Sequence, residues 1–278
     1  MDNLINNTNE TTNDFVNHPA HYSNSTLFCN YLLYQKGRAV KKILSIDFDF
    51  FQKVTPEIMQ TCYPDGVDLS SAISTIVWSG YYANSKQKMM LDTVEILENE
   101  FYSMIDILLN QDKEIPVMIA NSHLHIYDFI HSNVAETEKL YLVNVDMHHD
   151  MFNQNTETDC GNWLGHISQE YDTSAVWIAN PVSKAMYGIT DDDIPKDSSI
   201  SQLAELIPES SAVIQDKQFD MIFLCRSDNW LPPHLDNYFS EMCEVMKEHF
   251  HEIIMEQDID KPRNYMHYAE QMKIFIQI

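Results

Sequence analysis

Short apolar runs along the chain alternate with stretches whose apolar residues recur every three or four positions, and the two periods predict different elements. Five runs read as buried strands: AVKKILSIDFDFF (39–51), IPVMIANSH (115–123), KLYLVNVD (139–146), AVWIAN (175–180) and FDMIFLCRS (219–227). The spacing of Met90, Val94, Leu97, Phe101, Met104, Ile105 and Leu108 predicts one long amphipathic helix over 87–111. A short helix follows the second run near HIYDFIHS. LDNYFSEMCEVMKEHF (235–250) reads as another, its start set by Leu231-Pro232-Pro233. Apolar strands alternating with helices imply a mostly parallel sheet covered on both faces, a three-layer α/β fold. Ligands of such sheets sit beyond the carboxyl ends of the strands, so the polar residues at those ends carry the functional question.

Three runs end in a concentration of titratable groups: Asp47 and Asp49 after the first, His123 after the second, Asp146, His148 and Asp150 after the third. In extended backbone, residues i and i+2 point to one face, which puts each set on a common side. Four carboxylates and two imidazoles suit two divalent ions that share bridging carboxylates. Carboxylate and water favour Mn²⁺, while imidazole also admits Zn²⁺, Fe²⁺ or Ni²⁺. Four carboxylates crowded at an apolar sheet edge without metal would repel one another and be poorly hydrated. Singly, each residue has a plainer reading, since a strand-end Asp often caps a turn or helix. D-x-H-x-D after an apolar strand, repeated in kind at two further strand ends, points to metal.

The rest of the composition narrows the setting. The 278 residues carry 42 acidic and 17 basic side chains, a formal net charge of −25, which disfavours nucleic-acid backbones and anionic membranes and favours a cationic partner. No apolar run approaches the ~20 residues that span a bilayer. The N-terminus lacks the basic start and apolar core of a signal peptide. The cysteines are scattered and form no C-x-x-C pair, so reduced thiols in a cytoplasmic protein are expected. Residues 1–26, rich in Asn and Thr, read as a flexible arm, and 27–278 as a single catalytic domain.

The chain resembles the ureohydrolase superfamily of arginases and agmatinases, whose fold is shared by histone-deacetylase-like enzymes. Asp146, His148 and Asp150 match its D-x-H-x-D, and Asp47 and Asp49 in SIDFD match its S-x-D-x-D. His123 in N-S-H resembles its G-G-D-H histidine, and DCGNWLG (159–165) its substrate-holding S-G-N loop. There are departures: S-x-D-x-D precedes D-x-H-x-D, the glycines before the histidine are absent, and Leu164 stands where arginases carry a histidine. The D-F-D-F-F, H-H-D and G-N-W blocks are most similar to the peptide-arginase branch, which converts arginine side chains of ribosomally made precursor peptides to ornithine and urea. The resemblance implies two metal ions bridged by Asp146 and Asp47, with His123 and Asp150 completing one site and His148 and Asp49 the other. It also implies that Asp150 orients a hydroxide and carries its proton.

A leaving amine needs a general acid, for which His166 and His149 are the candidates. A planar guanidinium matches a carboxylate fork, and Asp228, at the end of the fifth strand, is placed to supply one. Asn162 and Trp163 are candidates for substrate contact. The aromatic stretch 55–84 (Tyr63, Trp78, Tyr81, Tyr82) reads as a wall or lid for a peptide, or as a packed insertion. The expected partner is thus a cationic, arginine-containing precursor peptide, with no nucleic acid or membrane, and a homo-oligomer is allowed. Alternatives are a ureohydrolase of free guanidino compounds, a single-zinc deacetylase or amidohydrolase suggested by D-x-H-H, which needs only three protein ligands, and a catalytically silent module that binds a basic partner.

Overall fold

The structure, a computed structural model, describes residues 40–64, 68–152, 156–187, 204–208 and 214–276. The described residues belong to one compact unit. The arm expected over 1–26 lies outside the described residues.

β1 (Val40–Asp47) runs through the middle of a seven-stranded sheet. On one side of it lie β5 (Lys139–Asp146), β6 (Asp172–Ala179) and β7 (Ala204–Pro208); on the other lie β8 (Met221–Cys225), β4 (Val117–Ala120) and β9 (Ile253–Met255). Every neighbouring pair is parallel. A separate antiparallel pair joins β2 (Gln52–Lys53) to β3 (Glu95–Ile96). The described helices are α1 (Pro56–Cys62), α2 (Ser71–Ala83), α3 (Ser85–Leu91), α4 (Glu98–Leu109), α5 (His125–Asn133), α6 (Trp163–Glu170), α7 (Ser183–Tyr187), α8 (Asp236–His249) and α9 (Tyr265–Ile276). None is long and apolar enough to cross a membrane.

Side-chain alternation divides the strands between two cores. Leu44, Ile46, Val143, Val145, Ile222 and Leu224 pack on one face with α4 and α8, through Phe101, Met104, Phe239 and Met242. Ile43, Leu140, Leu142, Met221 and Phe223 pack on the other with α5 and α6, through Ile126, Phe129, Trp163 and Ile167. This is the expected three-layer α/β fold. On the second face two polar side chains interrupt the apolar pattern, Ser45 and Asn144, both fully buried. Each lies two residues before a strand-ending aspartate, on the same face.

The register brings the strand ends level. Asp47 pairs with Cys225, which pairs with Ala120, and Ile46 pairs with Val145. The carboxyl ends of β5, β1, β8 and β4 therefore meet along one stretch of the sheet edge.

Several expectations are corrected. The single helix over 87–111 is two helices, α3 and α4, with β3 between them. Asp92 and Thr93 end the first, Thr93 folding its hydroxyl onto the Met90 carbonyl at 2.6 Å. Leu97 N–H then bonds Phe51 O at 2.7 Å, so Val94 and Ile96 are buried by tertiary pairing rather than by helical periodicity. The first strand stops at Asp47 and turns into a 3-10 segment, Phe48–Phe51, whose rings pack against Phe101 and Phe239. Of the two readings of residues 55–84, the packed insertion holds for most of the described residues. Cys62, Tyr63, Trp78 and Tyr82 make a small core with Ala269 of α9, and Trp78 and Ser74 donate to the Asp228 carbonyl.

Candidate metal centre

Chain reversals at the strand ends, not extended alternation, assemble the acidic cluster. Asp47 ends β1 and caps the 3-10 turn, its Oδ1 accepting from the Asp49 N–H at 3.1 Å. Asp49 Oδ1 accepts from the Met147 N–H at 3.1 Å, tying the end of β1 to the end of β5. Asp146 repeats the device, with Oδ1 accepting from the His148 N–H at 2.7 Å. Asp150 adopts a left-handed φ of 54°, a conformation Asp tolerates better than most residues. That turn presents its carbonyl to the Leu164 and Gly165 N–H groups in the first turn of α6, 3.1 and 3.2 Å away.

Two overlapping groups result, each able to hold a metal ion: Asp47, His123 and Asp146, and Asp49, Asp146 and His148. Asp146 belongs to both. Its Oδ2 lies 3.1 Å from His123 Nδ1, and its Oδ1 lies 3.5 Å from His148 Nδ1. His123 Nδ1 also has Asp47 Oδ2 at 3.2 Å and Asp150 Oδ2 at 3.1 Å, while His148 Nδ1 has Asp49 Oδ2 at 3.0 Å. Asp47 falls in one group alone, its other oxygen being held by the Asp49 N–H. Asp150 belongs to neither group, although it adjoins His123.

The donor chemistry fits a cation. His123 Nδ1 and Asp49 Oδ2 are buried and make no hydrogen bond, although three carboxylate oxygens surround that nitrogen. Burial, reinforced by neighbouring carboxylates, raises the pKa of Asp47 and pushes Asp49 and Asp150 well above the usual range. Burial acts the same way on Asp146, but the imidazoles of His123 and His148 outweigh it and hold that carboxyl low. Burial disfavours the imidazolium of His123, yet Asp150, Asp146 and Asp47 raise it well above its ordinary value. Like charges packed at this density shift one another in this way, and a divalent cation would relieve the conflict.

A surrounding layer fixes the candidate ligands. Ser45 Oγ lies 2.6 Å from His123 Nε2, and the imidazole stacks on Phe223 with the ring planes 1° apart. Asn144 Nδ2 donates to Asp146 Oδ2 and Asp150 Oδ2, both at 3.3 Å. Trp163 Nε1–H donates to Asp150 Oδ2 at 2.6 Å. Ser227, left-handed at φ 57°, donates to Asp47 Oδ2 at 2.8 Å. Partners of this kind typically change metal affinity ~10–100-fold. Ser45→Ala, which removes the partner of His123, is expected to weaken metal binding by about that factor with little loss of Tm, measured by competition with a chelating dye.

A cavity of about 480 Å³ opens over the cluster, lined by Asp47, His123, His148 and Asp150 and by Asp68, Asp159, Cys160, Ser227, Phe152 and Trp230. Five residues expected at the chemistry have other surroundings. Asp228 is turned inward, its carboxylate held by the Arg226 guanidinium, and so offers no fork to a substrate. Asn162 staples the 156–162 loop, donating to Thr156 Oγ1 and Glu157 O and accepting from the Asp159 N–H. His149 packs among Phe152, Trp177 and Tyr187. His166, on α6, does not line the cavity. Trp163 holds Asp150 rather than meeting substrate. Ser45 and Asn144 had a visible signal, a polar residue two positions before a strand-end aspartate. Asp68 and Trp230 had none, because they reach the site from segments distant in sequence.

Fold and site together define a class: a three-layer α/β protein whose parallel sheet carries, at its carboxyl edge, a buried Asp/His cluster suited to metal. No family model, curated protein or solved structure matches the chain.

Proposed function

We propose that this protein is a binuclear-metal hydrolase that cleaves the guanidinium group of arginine side chains within a peptide, releasing urea and leaving ornithine. The observation that carries the reading is the pair of ligand groups sharing Asp146. A single-ion deacetylase would have no use for the second group, Asp49 and His148. Two divalent ions there, Mn²⁺ first by ligand type, would lower the pKa of water from ~15.7 towards ~7 and so supply a nucleophile at neutral pH.

The chain's own residues do the rest. Asp47, Asp146 and His123 form one side of the centre, Asp49, Asp146 and His148 the other. Asp68 and Asp159, outside both groups, line the cavity with Trp230 and receive the planar cation, whose face an indole attracts. Asp150 lines the cavity beside His123 and is held by Trp163. It takes the proton lost by water and delivers it to Nε as the Cζ–O bond forms and the Cζ–Nε bond breaks, giving urea and the ornithine amine. Among the described residues, no Lys or Arg lines this cavity. Nothing there would pair with the α-carboxylate of free arginine, whereas in a peptide that carboxylate is an amide. The net charge of −25 draws a cationic peptide towards the protein.

The test is urea release by the Mn²⁺-loaded protein from free arginine, agmatine and an arginine-bearing peptide. Urea from the peptide, with little from free arginine, is the expected result. Efficient turnover of free arginine would contradict the substrate class, and absence of urea from all three would contradict the reaction.

A further inference from the structure

A second cavity adjoins the first. Its volume is about 410 Å³, and His148 and Trp230 line both, so the two cavities are immediate neighbours. Their linings differ in chemistry. The metal cavity displays Asp47, Asp68, Asp150 and Asp159. The second displays Met59, Pro64, Ala185 and Met186 beside Trp230, with Gln60, Tyr63 and His148 as its polar side chains, and no carboxylate, ammonium or guanidinium group among the described residues. Pro56, Met59 and Tyr63, spaced three and four apart along α1 and its cap, present one helical face to it. Met186, on α7, is 37% exposed although apolar.

We propose that this second cavity is a subsite for an uncharged, apolar side chain of the same peptide, within two residues of the arginine. The proposal rests on the function proposed above and specifies which arginines are chosen. An extended chain advances ~3.3–3.6 Å per residue, with alternate side chains on one face. A residue close to the arginine therefore reaches a cavity that shares two lining residues with the metal site. Thioether side chains are flexible and polarisable, so this pocket accommodates apolar groups of varied shape. A charged side chain would lose hydration there without meeting a carboxylate, ammonium or guanidinium group to pair with. Free arginine and agmatine have no group to place in it.

The test uses the Mn²⁺-loaded full chain and peptides of equal length holding one arginine, with Leu, Gly or Asp at each position from two before to two after it. At one or two positions Leu is expected to raise kcat/KM about tenfold over Gly, the scale of burying one aliphatic side chain, and Asp to lower it. In the Met59→Ser, Met186→Ser double variant the Leu preference should disappear while turnover of the all-Gly peptide is unchanged. Equal kcat/KM for Leu and Gly at every position would overturn the subsite and leave the arginase reading standing. If no peptide yields urea, the arginase reading fails. Calorimetric binding of the matching ornithine peptides then decides the subsite separately: a Leu-over-Gly preference that the double variant loses supports it, and equal binding overturns it.

Discussion

Asp146→Asn is expected to disable both halves of the cluster at once. The substitution preserves the shape of the side chain but removes the charge shared by the two ligand groups, whose imidazoles face its two oxygens at 3.1 and 3.5 Å. His148→Ala removes a member of one group alone. After Mn²⁺ loading and dialysis, Asp146→Asn should retain almost no metal and His148→Ala about half the wild-type content, measured by elemental analysis. The loss of affinity in Asp146→Asn should exceed the ~100-fold typical of removing a supporting partner, and urea release should vanish with it. If Asp146→Asn kept half its metal, the two groups would be independent and the shared carboxylate would not be the centre of the site.

The second large effect falls on stability. Asp228→Ala is expected to destabilise the fold by about 3–5 kcal/mol, the usual cost of leaving a buried charge without its partner. Arg226 is 2% exposed, and its guanidinium has two bonds to the Asp228 carboxylate, with further bonds to Ile259 O, Lys261 O and Ser71 Oγ. Arg263 joins the same network through the Asp228 carbonyl at 2.6 Å and through Asp236. Removing one carboxylate therefore leaves a cation with no route to water. The pH dependence has a definite sign. Burial pushes the Asp228 pKa up, but Arg263 and Arg226 outweigh it and hold it below the ordinary value. A depressed carboxylate contributes stability that is present above about pH 4 and lost as pH falls through the lowered pKa. The variant should show a lower Tm at neutral pH and a shallower acid limb. At a temperature where it stays folded it should still bind Mn²⁺ and turn over peptide with an unchanged KM, and that outcome separates a structural Asp228 from the substrate fork its position in the sequence suggests.

The layered sheet was legible because its physics is local. Strands buried on both faces read as unbroken apolar runs, and β1, β5 and β8 lie within the runs that mark them. β9 was not legible, because it is three residues long with Ile254 and Met255 facing solvent. The break at Asp92–Leu97 was hidden because Val94 and Leu97 fall in helical register by spacing, while the chain there pairs β3 with β2 and buries Val94 and Ile96. Asp47, Asp49, His123, Asp146 and His148 come together because each stands at the carboxyl end of a strand, a position that sequence reveals. What a buried side chain faces is not revealed in that way. Asp228 looked like a substrate residue because it is polar and follows a strand, and Asn162 because its loop resembles a substrate-holding motif, but their partners, Arg226 for one and the 156–162 loop for the other, are set by tertiary structure. The cavity walls Asp68 and Trp230 likewise depend on how the insertion and the loop after β8 fold back over the edge of the sheet.

On the proposed function, Asp146 would be the one carboxylate shared by two ions. Crystals grown or soaked with Mn²⁺ and measured at the manganese absorption edge would test it directly. Two anomalous peaks are expected, one beside His123 and one beside His148, separated by the ~3.5–4 Å of two-metal hydrolases, with the Asp146 carboxylate between them. A single peak, or two peaks that Asp146 does not join, would contradict the account.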